Sequence, residues 1–284
     1  MKNKITLIFS VIAVLSVIPL VANAQGGGDK KEKDVEVKCP SGIDHGAWDR
    51  LLKKYVDGKG LVNYTAWKAS QADMSALDAY VKQFAAKADK PAEGNEKAAS
   101  LTNAYNAIAI RTVLASYPIE SIHEGTKPFE AKDWTIGGAK ASLNDIENGT
   151  LRPQLKYRAH SVLVCAARSC PPLQQTAYTA SNFEAQNDKA FTIWLAREDL
   201  NKFMPQEKKA EISEIFKWFK GDFEKSLSVP KVLAQYGPAS AKELTEGGTQ
   251  FETTYLSYNW GLNDQGSHGR NYSKINLIFD NLGE

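Results

Sequence analysis

Arg158-Ala-His-Ser-Val-Leu-Val-Cys165-Ala-Ala-Arg-Ser-Cys170-Pro-Pro172 is the stretch on which the reading of this chain turns. Its apolar, β-branched centre, Val162 to Ala166, is brief, which predicts a buried strand beginning at His160. Beyond it a thiol is followed by two prolines, and Pro suits the first turn of a helix, so a tight turn and a helix start are expected at Cys170. A thiol at a helix N-terminus feels the positive end of the backbone dipole, which favours the thiolate. Cys170 is thus the candidate nucleophile and His160 the candidate base, the pairing used by cysteine hydrolases and acyltransferases. A disulfide or a buried structural thiol is the competing reading, and a histidine bonded inside the core is the competing reading for His160.

Outward from this run, helices are expected over 44–57, from Met74 to Phe84, over 95–116, 181–196, 206–219 and 229–235. Strands are expected over 61–64, at Trp134 entering a Gly137-Gly138 turn, over 251–258 and over 275–279. Ser142-x-x-Asp145 reads as a capping box that opens a short helix carrying Ile146, Glu147 and Leu151. Helices outnumber strands and cluster in runs, which predicts an α+β, mostly helical single domain around a small β-sheet. A hydrophobic content of 43% is enough to fill its core.

In the 95–116 helix, Asn103 and Asn106 share a face directed inward. Such amides orient a substrate, supply oxyanion donors or tie the fold together, and tying is the stronger expectation. Tyr105 lies between them as a candidate substrate-binding residue. Glu147 joins the catalytic candidates. Arg152 and Arg158 flank the cysteine run, where they either bridge acids near the surface or hold a substrate carboxylate and orient His160. Zinc is weighed and set aside: the five-residue cysteine step has no second Cys/His pair to complete a familiar site. No metal and no cofactor is expected.

The first residues place Lys2 and Lys4 before an apolar stretch from Ile5 to Val21 and then Ala22-Asn23-Ala24, the pattern of a cleavable secretory signal over 1–24, cut after Ala24. The glycine-rich, densely charged residues 25–38 read as a disordered linker, with the domain over 39–284. Loss of those two lysines brings the formal charge from +2 to zero, so nothing recruits nucleic acid, and no integral membrane segment is expected after cleavage. The expected location is periplasmic or secreted, and the expected partner a small-molecule or peptide ligand. Three cysteines, Cys39, Cys165 and Cys170, leave at least one thiol free or paired between molecules. Pairings of Cys165 with either Cys39 or Cys170 are open.

Several pieces taken together resemble the family catalogued as domain of unknown function 547. They are Gly60-Leu-Val-Asn-Tyr64, Asn103-Ala-Tyr-Asn106, Tyr117-Pro118 with Ser121-Ile122, Gly137-Gly138 with Ser142-Leu143, Ile146-Glu147, Leu151-Arg152, Arg158-Ala-His160, the Val164 to Leu173 block, Ala177-Tyr-Thr179 and Tyr258-Asn-Trp-Gly-Leu-Asn263. The resemblance implies a mostly helical α+β domain, often exported in bacteria. It carries no established activity, and relatives that accompany glutaredoxin-like segments hint at thiol chemistry. Asn148 and Asn259 depart from it, standing where histidine and aspartate are usual. On these residues the chain is expected to be an exported thiol-dependent hydrolase or acyltransferase. The alternative is a non-enzymatic periplasmic binding or scaffold domain with structural cysteines. Thiol–disulfide exchange is weaker, since no CxxC pair is present.

Overall fold

A computed structural model describes residues 33–124, 127–270 and 272. The signal over 1–24, linker residues 25–32 and the strand expected over 275–279 lie outside the described residues. The centre of the fold is the long helix Gly94–Ser116. It buries residues on every side from Ala98 to Ile110, as a helix apolar all round must. Its end coincides with Tyr117-Pro118, where the residue before proline is driven out of helical geometry.

In chain order the helices and strands are α1 Gly46–Tyr55, α2 Tyr64–Ala69, α3 Gln71–Gln83, α4 Gly94–Ser116, β1 Trp134–Ile136, β2 Ala139–Ala141, α5 Leu143–Ile146, α6 Arg152–Leu155, α7 Phe183–Leu195, β3 Lys202–Met204, β4 Lys209–Ser213, α8 Ile215–Trp218, α9 Lys220–Glu224, α10 Val229–Tyr236, α11 Ala239–Thr245 and β5 Glu252–Leu256. The architecture is α+β and mostly helical, with two small sheets among the described residues. β1 and β2 form an antiparallel hairpin, while β4 pairs antiparallel to β3 and parallel to β5. Helices α2, α3, α5 and α7 pack against α4. An aromatic layer seals α1 to α2 and α3, with ring centroids of Tyr55 and Trp67 4.6 Å apart and of Trp48 and Tyr80 5.8 Å apart. No helix among the described residues is long and apolar enough to cross a membrane.

Four local expectations are corrected. Residues 162–166 form no strand: the Val162 carbonyl and the Val164 N–H bond the Asn106 side chain of α4, while the N–H groups of Val162 and Leu163 turn back to the Ala159 carbonyl. No helix starts at Cys170, whose successors Pro171 and Pro172 have no regular secondary structure, so the dipole argument for its thiolate falls. Residues 206–219 are β4 and the short α8 rather than one helix, because Ala210 and Ile212 are buried on alternate positions with a period of two. Leu61 to Tyr64 make only isolated bridges, through Val62, before Tyr64 begins α2. The Ser142 capping box is present as read, with Ser142 and Asp145 each accepting from the other's backbone N–H.

The expected linker also ends earlier than residue 38. Val35 N–H donates to Asp145 Oδ1 and Val37 N–H to Thr150 Oγ1, both at 2.8 Å, and Val37 and Cys39 are buried. This strap continues into Pro40, which bridges Pro91, while Ala92 N–H donates to the Cys39 carbonyl.

Stability is expected to fall as the pH drops from 7 toward 4. Burial pushes the His123 imidazole down to about 4, and burial likewise lowers His45 and His160. Between that range and the ordinary imidazole value of about 6.5, the unfolded chain binds protons that the folded chain refuses, so acid favours unfolding. Thermal melts followed by circular dichroism should show the midpoint decreasing between pH 7 and pH 5. A midpoint that stays level or rises would contradict the burial of these rings.

Candidate functional site

The site assembles where α4, the turn after α5, the cysteine run and the segment after β5 meet. α5 passes into a π-helical turn, Glu147–Leu151, and such turns recur at functional sites because they re-aim a side chain. Glu147 is the first residue of that turn and stays half-buried. Its Oε2 accepts from the Tyr105 hydroxyl at 2.8 Å. Burial, then the Glu147 charge, drives the Tyr105 hydroxyl well above its usual range, so it remains a donor.

Cys165 and Cys170 are joined by a disulfide, and Cys39 is a free, buried thiol. The Tyr258 hydroxyl lies 3.2 Å from Cys170 Sγ and 3.6 Å from Cys165 Sγ. Burial raises Tyr258 as well, with Glu147 adding to the effect, so its hydroxyl stays protonated. The cysteine run is moored to the segment that carries Tyr258: Arg168 N–H donates to the Gly261 carbonyl, Ser169 N–H to that of Asn259, and Asn263 N–H to that of Ala166. Ala166 pays for this path with a left-handed backbone, φ 63°.

His160 sits in a helical turn, Lys156–Ser161, rather than at the head of a strand. Its Nε2 lies 2.8 Å from Asp222 Oδ2, and its ring stacks on Phe219 at 4.1 Å and on Phe223 at 5.7 Å. The expected direct pairing of His160 with Cys170 is therefore replaced by pairing with Asp222. With its side chain 3% exposed, burial holds His160 below the ordinary imidazole range despite Asp222. Burial opposes ionisation of Asp222, but the hydrogen bonds from His160 and Arg152 prevail and keep its carboxyl low. The neutral ring consequently donates from Nε2 and leaves Nδ1 as its basic nitrogen.

Arg152 completes this group, donating from Nε to Asp222 Oδ2 at 2.8 Å and from Nη1 to Asn148 Oδ1 at 2.7 Å, with its guanidinium 4.5 Å above the Phe219 ring. Asn148 is thus an Arg152 partner. Asn259 Oδ1 accepts from Gly261 N–H, a bond an aspartate would make equally well. Arg158 lies elsewhere: its guanidinium is committed to Asp188 at 2.7 Å, Glu184 at 3.0 Å and the Tyr236 hydroxyl at 3.0 Å, tying its turn to α7 and α10. Both α4 amides are likewise spent on the backbone. Asn103 donates to the Tyr178 carbonyl and accepts from its N–H; Asn106 donates to the Val162 carbonyl and accepts from Val164 N–H. They brace the site instead of facing a substrate.

The structure therefore brings together Tyr105, Glu147, Arg152, His160, Cys165 and Cys170, and sets Asn103, Asn106 and Arg158 to structural work. Asp222 was missed because a single acid on α9 carries no local signal, and Tyr258 because its aromatic motif reads as core. Among the described residues, no group of three or more His, Cys, Asp or Glu gathers to hold a metal ion.

Residues 90–195 match the family model described as Protein of unknown function, DUF547. That segment is similar to DUF547. The DUF547 segment opens just ahead of α4, ends at the last residue of α7, and contains Tyr105, Glu147, Arg152, His160 and both bridged cysteines, while Asp222 and Tyr258 lie beyond it. No curated protein and no solved structure matches the chain.

Proposed function

We propose that the chain is an exported thiol-dependent enzyme of the hydrolase or acyl-transfer type, with Cys170 as its nucleophile once the bridge is opened to the dithiol. The observation that carries the reading is the pair of donors on Cys170 Sγ, the Tyr258 hydroxyl and the Cys165 N–H, each at 3.2 Å. Donors to sulfur favour the thiolate, the attacking form. Glu147, half-buried and accepting from Tyr105, presents a carboxylate suited to take a proton from the water that releases the acyl group. His160 acts through Asp222 as a positioning residue, since its Nε2 is already engaged. The signal-like pattern over 1–24 supports export, and a disulfide endures best in an oxidising compartment.

The test is acylation of the reduced protein by p-nitrophenyl acetate. A burst of about one p-nitrophenol per chain is expected, with the acyl group on Cys170 and none in Cys170→Ser. Glu147→Gln should slow turnover after the burst. Equal acylation of wild type and Cys170→Ser would refute the reading.

A second reading, a non-enzymatic binding or scaffold domain with structural cysteines, is favoured by the bridge itself and by the two spent α4 amides. Thiol titration separates the two. A bridge that resists thiol reductants in the folded protein supports the second reading; one that opens to two titratable thiols supports the first. Cys39 should stay silent throughout, because burial pushes its thiol up to about 12.

A further inference from the structure

The two sulfurs of the bridge stand in unlike surroundings. Cys170 is 5% exposed and its Sγ is reached by the Tyr258 hydroxyl and by the Cys165 N–H, both at 3.2 Å. A bridged sulfur carries no proton, so both contacts are donations to Cys170. Cys165 is more exposed, and its Sγ lies farther from the same hydroxyl, at 3.6 Å. Disulfides exchange by attack of a thiolate on one sulfur with expulsion of the other, and the expelled sulfur leaves faster when its anion is stabilised. Access and leaving-group stabilisation thus select the same direction of attack.

We infer that the Cys165–Cys170 bridge has a thiol–disulfide exchange activity in which an external small thiol enters at Cys165 and expels Cys170. In the first step the incoming thiolate forms a bond to Cys165 Sγ as the Cys165–Cys170 bond breaks. The electron pair passes to Cys170 Sγ, where Tyr258 and the Cys165 N–H receive the new charge. A second thiolate then attacks the sulfur of the first, forming an external disulfide and releasing Cys165 as a thiolate. Two thiols are oxidised and the protein pair is reduced. The Tyr258 ring is itself held in place, packed 4.8 Å from Trp218 and 4.5 Å from Trp260. This activity shares Cys170 with the acyl-transfer reading but requires no acyl substrate.

The experiment treats the oxidised full chain with reduced glutathione, quenches with acid at short times and maps the adduct. Glutathione on Cys165 is expected to exceed that on Cys170 about tenfold, and Tyr258→Phe should bring the ratio toward unity. A second measurement, the ultraviolet thiolate titration of single-cysteine partners, should show the Cys170 thiolate of Cys165→Ser forming at lower pH than the Cys165 thiolate of Cys170→Ser. Adducts chiefly on Cys170, or a bridge untouched by excess glutathione, would overturn the inference. If exchange runs as described while p-nitrophenyl acetate leaves no acyl group on reduced Cys170, only the acyl-transfer reading is lost.

Discussion

Asn106→Leu should be among the most damaging single substitutions in the chain. Asn106 is 2% exposed, and its amide both donates to the Val162 carbonyl and accepts from Val164 N–H at 2.9 Å. Leucine fills nearly the same space but leaves a buried carbonyl and a buried N–H without partners, at about 1–3 kcal/mol each. A loss of about 3 kcal/mol lowers the melting midpoint by about 6–12 °C in a domain of this size. Val164 precedes Cys165, so the sulfurs should lose their definition as well, and the bridge should be reduced faster by glutathione. Thermal melts and a reduction time course check both effects; a midpoint within about 1 °C of wild type would show that the clamp is dispensable.

Gly137→Ala is the second. Gly137 holds φ +62°, and a Cβ there would lie 2.0 Å from the Lys38 carbonyl oxygen, too close for either backbone to stay in place. Its neighbour Gly138 shares the positive φ, +84°, but a Cβ there meets first the Cγ of the Lys87 side chain, at 3.1 Å. Both substitutions incur the left-handed cost of about 1–2 kcal/mol, so their difference isolates the collision with the strap. Gly137→Ala should be the worse by about 2 kcal/mol in urea unfolding. Equal losses would mean that the strap yields without consequence.

The legible parts of this fold are those written in local pattern. α1, α3, α4, α7 and α10 follow from apolar spacing, and the β1–β2 turn from two adjacent glycines that accept positive φ. What misled is equally physical. Val162 to Ala166 has the composition of a strand, yet the partner for its backbone is an amide some 56 residues earlier in sequence, which no window can see. Two prolines after Cys170 suit a helix start and a segment without regular secondary structure alike. The site was legible as residue types, since Cys170, His160, Glu147 and Arg152 stand out by chemistry. It was not legible as pairings, because Asp222 and Tyr258 arrive from distant segments to claim the imidazole and the sulfur.

The strap at residues 34–40 grips the body through main-chain donors, Val35 N–H on Asp145 and Val37 N–H on Thr150, two positions apart along an extended segment. Successive amides of extended chain point to opposite sides. Side-chain replacement at Glu36 removes only its exposed ion pair with Lys97, worth at most about 1 kcal/mol, whereas deleting that one residue puts the spacing out of phase and only one of the two acceptors can be served. Asp145 and Thr150 bracket the turn that presents Glu147. The count of residues in this strap, more than their identity, is thus coupled to the aim of the carboxylate, and a frame-preserving deletion there should disturb it from the far side of the turn.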